Sequence, residues 1–275
     1  MSETVPTVTL DKRPPVPGVS LSRVVISEWT KFRSLRSTYW SLISAAILMI
    51  GLGALFCLGT ASQAKGDQPD RIGVVDPVST SITGFILAQF AIGVLGVLCI
   101  TGEYSTGMIR ATLAAVPKRL PVLWAKLIVF AVVGFVVMLV TSLIAFFIGQ
   151  AVLASADLQV TIGSPGALRA VVGCALYLTV VGLFGIGLGG IIRSSAGSIA
   201  ALVVLLLIIP ILANFLPSSW AEHINKYLPG NAGQGIMNTI PNDAALSPWV
   251  GFGVFCGYVV VVVAIAAVLL KRRDA

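Results

Sequence analysis

Apolar residues along this chain gather in six long blocks instead of alternating with polar ones. Stretches free of Asp, Glu, Lys, Arg and His cover Tyr39–Gly59, Thr80–Thr101, Leu127–Leu153, Ala170–Ile192, Gly197–Leu216 and Trp249–Leu270. Each has about the 20 residues that a helix needs to cross a bilayer. A β-barrel would instead show short alternating segments. The pattern predicts an all-α integral membrane protein with six transmembrane helices.

The segments between the blocks have patterns of their own. Leu21, Val24, Val25, Trp29, Phe32 and Leu35 recur at helical spacing, with Arg23, Glu28, Lys31, Arg33 and Arg36 largely off that stripe. This predicts an N-terminal amphipathic helix over 21–38 lying in the membrane interface, or an amphipathic lead into the first span. Residues 1–20, with Pro6, Pro14, Pro15 and Pro17, read as a disordered cytoplasmic tail, and 39–275 as the six-span domain. Between the second and third blocks, Ile109, Leu113 and Val116 share a helical face that Pro117 should end. The segment is too short to span and should lie along the membrane face as a helix or plain connector. Before the last block, Ser219-Trp220-Ala221-Glu222 fits a capping box. Trp220, Ile224 and Leu228 then share a face, Pro229-Gly230 should stop that helix, and a second short helix is expected over 233–240.

Composition agrees with the pattern. Charged residues make up 11% of the 275 and mean hydropathy is +0.98, whereas a soluble domain carries roughly a quarter charged residues. The net charge of +7 is distributed by side of the membrane, which argues against nucleic acid as a partner. If the N-terminus is inside, fourteen of the 18 Lys and Arg lie in inside segments, which predicts two cytoplasmic termini. The eleven acids split five to six and say little about topology. No cleavable signal peptide is read, since the first apolar run begins only at Tyr39 and is too long for one. Cys57, Cys99, Cys174 and Cys256 fall in four different blocks without metal-ligand spacing, and read as small hydrophobes.

The missing chemistry narrows function. No block contains an ionisable Asp, Glu, Lys, Arg or His for proton or ion coupling, although sodium sites built from carbonyls and hydroxyls stay open. The lone His223 falls outside the membrane, no metal site is expected, and no Gly-Lys dipeptide exists to form a phosphate-binding loop. The chain reads as non-catalytic, so ATP-driven transport would need an ATPase on another chain. Gln89, Thr141, Ser142, Gln150, Tyr177, Thr179 and Asn214 are the mild polar groups at depth. They either join helices or line a substrate path, with Gln89, Tyr177 and Asn214 as candidate liners where two copies pair. The Gly185-x-x-x-Gly189 pair permits close helix approach, and Pro210 should kink the fifth span. A secondary carrier, or a non-transporting membrane scaffold or immunity protein, remains the alternative.

Two segments add a resemblance. Ser27-Glu28-Trp29-Thr30-Lys31-Phe32-Arg33-Ser34-Leu35-Arg36-Ser37 precedes the first span. Gly102-Glu103-Tyr104-Ser105-Thr106-Gly107-Met108-Ile109-Arg110-Ala111-Thr112-Leu113 follows the second, and is itself followed by Pro117-Lys118-Arg119 and Lys126. Together with the span count, they make the chain similar to bacterial ABC transporter permeases of the type-2 export class. The resemblance implies a permease in the bacterial inner membrane, paired with an identical or different second permease and docked on a cytoplasmic ATPase subunit. ATP and Mg would then be bound by that partner, with no cofactor in this chain. It implies a coupling helix over Glu103–Leu113, with Glu103, Tyr104, Gly107, Ile109, Arg110 and Leu113 as contacts. It also implies an interfacial brace through Glu28, Trp29, Lys31, Phe32 and Arg33.

Overall fold

The computed structural model describes residues 20–65, 75–116, 118–240 and 245–273, except for the side chains at 218, 219, 221 and 222. The tail over 1–19 and Pro117 lie outside the described residues, as does the Ser219–Glu222 capping box, whose side chains are among those excluded. Six helices are long and apolar enough to cross a membrane, and no strand occurs among the described residues. The protein is an all-α integral membrane protein with six transmembrane helices.

The first span, α2 (Arg36–Ala64), follows the amphipathic helix α1 (Leu21–Ser34) across the single extended residue Leu35. The second block, expected to be one helix, is divided. A short α3 (Pro77–Ile82) precedes the span α4 (Phe85–Ser105). The join at Thr83–Gly84 is made by tight three-residue hydrogen bonds, Thr83 N to Thr80 O and Ile86 N to Thr83 O. The third span, α6 (Leu120–Leu153), begins seven residues before the apolar block does and carries Lys126 inside the helix.

The fourth span, α7 (Ala167–Ile192), is the centre of the bundle, and most of its side chains are buried. Its glycines allow α4 to lie against it. A Cβ on Gly96 would fall 2.0 Å from the carbonyl oxygen of Gly182, and one on Gly185 would fall 2.4 Å from that of Gly93. Backbone thus meets backbone, the contact that small residues permit between membrane helices.

The fifth span joins α8 (Ser195–Val203) to α9 (Ile209–Ala213) through a π turn over Val204–Ile208, directly before Pro210. The wider turn is the local adjustment to the missing proline N–H and the ring's bulk. After α10 (Ser218–Asn225), Pro229 does not stop a helix but opens α11 (Pro229–Gln234), since its missing N–H costs nothing in a first turn. The second short helix before the last span therefore lies earlier than expected, and only a 3₁₀ turn follows at Gly235–Met237. The last span is α12 (Pro248–Arg272). Ile47, Leu55, Val132, Val136 and Val260 stay exposed on the outer faces, as lipid-facing positions require.

At the end of the bundle away from α1, Asp76 ties two segments together. Its carboxylate accepts from the Val78 and Ser79 amides at 3.0 and 3.1 Å, capping α3, and from the Thr239 amide at 3.1 Å. Partial burial alone would raise its pKa, but the hydrogen bonds from Ser79 and Thr239 outweigh burial and hold it below the usual carboxylate value.

Close backbone contact makes a sharp prediction. Gly96→Ala should destabilise the protein by about 1–3 kcal/mol, because the added methyl has nowhere to go. Gly51→Ala, with nothing within 4 Å of the new Cβ, should leave stability unchanged or raise it by about 0.5–1 kcal/mol. Unfolding of the two variants in detergent, followed by far-UV circular dichroism, checks both.

Candidate functional site

The site lies where α1, α4, α6 and a short fifth helix meet at one end of the bundle. The single coupling helix expected over Glu103–Leu113 is two elements. Helix α4 runs on to Ser105, Gly107 turns the chain with φ 72°, and α5 (Met108–Ala115) follows. Glycine occupies that left-handed corner without the Cβ penalty other residues meet. Glu103 therefore sits in the last turn of a span and not in the first turn of α5. A carboxylate at a helix C-terminus faces the negative end of the dipole, so its stabilisation must come from other elements.

Those elements supply lysines. Lys126 on α6 is 7% exposed, Glu28 on α1 5% and Glu103 8%. The Lys126 Nζ donates to Glu28 Oε2 at 2.6 Å and to Glu103 Oε1 at 2.5 Å. The Lys31 Nζ donates to Glu28 Oε1 at 2.7 Å, Glu103 Oε1 at 3.1 Å and Thr112 Oγ1 at 3.2 Å. Two ammonium groups and two carboxylates balance to zero within one contact network. Lys31 links this network to α5 through Thr112.

Glu28 departs from the amphipathic reading, which put it largely off the apolar stripe. It lies on the buried face of α1 between Val24 and Phe32, and the Phe32 ring packs edge-on to Phe130 of α6 at 6.1 Å. The face turned to the bundle thus carries a carboxylate because α6 offers an ammonium opposite it. Trp29 and Arg33 are exposed on other faces of α1. Of the remaining residues proposed for coupling, Ile109 is buried, Tyr104 and Leu113 are half-buried, and Arg110 is exposed.

A second cluster adjoins the first. The Arg193 guanidinium lies 5.0 Å over the Tyr104 ring, from a left-handed position (φ 58°) that caps α7. Arg193 also donates to the carbonyls of Leu269 and Arg273 at 3.4 and 3.5 Å. Arg119 donates to those of Leu270 and Arg273, both at 3.2 Å. Leu269 O also accepts from the Arg273 amide at the C-cap, and the carbonyls at the end of a helix lack a further intrahelical donor, so the two arginines add side-chain donors there. In the sequence Arg193 reads only as a topology charge, and Arg119 as one that also belongs to the segment carrying the resemblance. The signal available was their position next to helix ends.

The candidate path residues separate. Gln89 and Tyr177 are buried within one chain, the Tyr177 hydroxyl donating to Gln89 Oε1 at 2.6 Å and accepting from Gln234 Nε2 at 3.3 Å. Asn214 is exposed just beyond α9 and accepts from Asn225 Nδ2 at 3.0 Å. Gln150 likewise joins helices, donating to the Pro77 carbonyl at 3.0 Å and to Ser81 Oγ at 2.9 Å. Among the described residues no group of three or more His, Cys, Asp or Glu could hold a metal. Lys31 is the contact that joins α5, through Thr112, to Glu28 of α1 and Glu103 of α4, and Lys126 of α6 meets the same two carboxylates.

A family model described as ABC-2 family transporter protein matches residues 24–275. No curated protein matches the chain.

Removing one partner from a buried ion pair strands the other charge, which typically costs about 3–5 kcal/mol. Lys126→Met should destabilise the protein by about that amount, since Glu28 and Glu103 would face each other with only Lys31 between them. Adding Glu103→Gln should recover part of the loss by leaving one carboxylate for one ammonium. Equilibrium unfolding in detergent checks both. A single variant within about 0.5 kcal/mol of the parent, the range of an ordinary surface change, would mean that the network contributes nothing to stability.

Proposed function

The chain belongs to the ABC-2 transporter family, and from that membership we propose that it is the permease subunit of an ATP-driven exporter. It pairs with a second permease and takes its power stroke from a separate cytoplasmic ATPase subunit, which holds ATP and Mg. The end carrying α1, α5 and both termini faces the cytoplasm. The fourteen Lys and Arg of that side support this orientation.

The observation that carries the reading is the Lys31 contact with Thr112, Glu103 and Glu28. Helix α5 is short, stands at the rim of the bundle and exposes Arg110 and Ala111. Its buried side chain is Ile109. It therefore offers an outer face to a partner while its inner face is wired to two spans and the interfacial helix. A partner that pushes on α5 moves α1, α4 and α6 together. Residues Ile109, Arg110 and Leu113 belong to this coupling element. Glu103 and Tyr104 act behind it, anchoring the turn at Gly107 to the bundle, and Glu28, Lys31 and Phe32 form the brace.

The test is site-specific labelling of a chain whose native cysteines are replaced. A cysteine at Ser105, exposed beside the α4–α5 turn, should react with an impermeant maleimide in inverted vesicles and not in intact cells. A cysteine at Ser155, exposed at the far end of α6, should do the reverse. The ATPase that co-purifies with the chain should protect the Ser105 position when added back. Labelling of Ser105 from outside would overturn the orientation. Absence of any co-purifying ATPase, or no protection by it, would count against coupling through this surface.

A further inference from the structure

A cavity of ≈ 370 Å³ opens at the ion network, whose Glu28, Lys31, Glu103 and Lys126 form part of its lining, between α1, the α1–α2 corner, the last turns of α4 and the body of α6. Its volume falls in the range of about 300–1,000 Å³ typical of small-ligand sites. Phe32, Leu35, Leu98, Cys99, Met108 and Val129 make it mostly apolar. The exposed hydroxyl-bearing residues Ser34, Ser37, Ser105 and Thr106 also line it.

Its position fixes the kind of molecule that can reach it. Leu21, Ile26 and Trp29 are exposed on the outer side of α1, the faces that lie in the headgroup boundary of a bilayer. The cavity is therefore at the depth where a phospholipid passes from headgroup to acyl chain.

The charges decide the headgroup. Glu28, Glu103, Lys31 and Lys126 neutralise one another inside the network. Arg33 and Arg36, which flank the lining residues Ser34, Leu35 and Ser37, are exposed, and no acidic residue lies between Glu28 and Asp67. The uncompensated charge at this corner is positive. We propose that the cavity is a binding site for an anionic phospholipid of the surrounding bilayer, with an acyl chain against Leu98 and Val129 and the phosphate at the Arg33–Arg36 corner. Basic pockets at membrane interfaces recognise anionic headgroups by this combination of charge and depth. The bound lipid fills the space between the brace helix and the α4–α5 turn. The proposal requires α1 to lie at a bilayer surface, and it does not depend on an ATPase partner.

The full chain, with whatever subunits accompany it, is reconstituted into nanodiscs holding equal amounts of phosphatidylglycerol and phosphatidylcholine. It is then extracted with detergent, and the retained lipid is identified by native mass spectrometry. The expected result is one phosphatidylglycerol per chain, preferred over phosphatidylcholine. Leu98→Trp, which fills the cavity, and the surface pair Arg33→Gln with Arg36→Gln should each lower retention by about tenfold or more. Should the tryptophan variant fail to fold, the surface pair decides alone. Equal retention of the two lipids would overturn the anionic site, and retention unchanged in the variants would assign the lipid to the general annulus. No retained lipid would leave the cavity to another part of the chain or to a partner, and would equally overturn the proposal.

Discussion

An ammonium group cannot be left unpaired at a buried position, and the arrangement at one end of this bundle depends on that constraint. Lys126 lies within α6 and is almost completely enclosed. Its two carboxylate partners come from α1 and α4. Desolvating an ion costs several kcal/mol even after relaxation, so neither carboxylate can withdraw cheaply once the lysine is in place. The amphipathic helix is thus held on the bundle by a specific charge contact as well as by apolar packing. Lys31 completes the neutral set and is the least enclosed member, with 27% of its side chain exposed. It is also the member that reaches α5.

The rest of the molecule provides a frame against which this end can work. Helix α7 packs backbone to backbone on α4 through the Gly96–Gly182 and Gly185–Gly93 contacts. Side-chain hydrogen bonds such as Tyr177 to Gln89 then hold the helices in register. At the opposite end, Asp76 and Arg169 tie α3 and the start of α7 to the carbonyl and amide groups of residues 238–239. Polar groups inside the bundle are joined largely to one another within the chain, which favours a rigid body over a polar channel through a single copy. Helix α5 meets this frame across the left-handed Gly107 turn and through the Lys31 contact with Thr112.

The span pattern was legible because hydropathy reports on lipid contact directly: each apolar block contains a crossing helix. What escaped it depends on pairing across the chain. Lys126 reads as a topology charge and as part of the segment that carries the resemblance, since nothing local reveals that Glu28 and Glu103 converge on it. Glu28 seemed to belong to a polar face for the same reason. Gly107 belongs to the segment that carries the resemblance, yet that pattern holds no sign of the left-handed backbone which divides α4 from α5. Pro229 reads as a stop because the missing N–H of proline suits both the end of one helix and the first turn of the next, and only the neighbouring geometry selects between them. The break at Thr83–Gly84 lies inside a block free of charged residues, and the hydroxyl-rich Ser79-Thr80-Ser81 and Thr83-Gly84 around it are its local signal.

The central claim is that Lys31 makes α1 and α5 respond as one unit. Hydrogen–deuterium exchange of the protein in nanodiscs, comparing the parent with Lys31→Met, tests it directly. The account predicts faster exchange at amides of both 21–34 and 108–115 in the variant, with α7 unchanged. Faster exchange in only one of the two helices, or in neither, would contradict it.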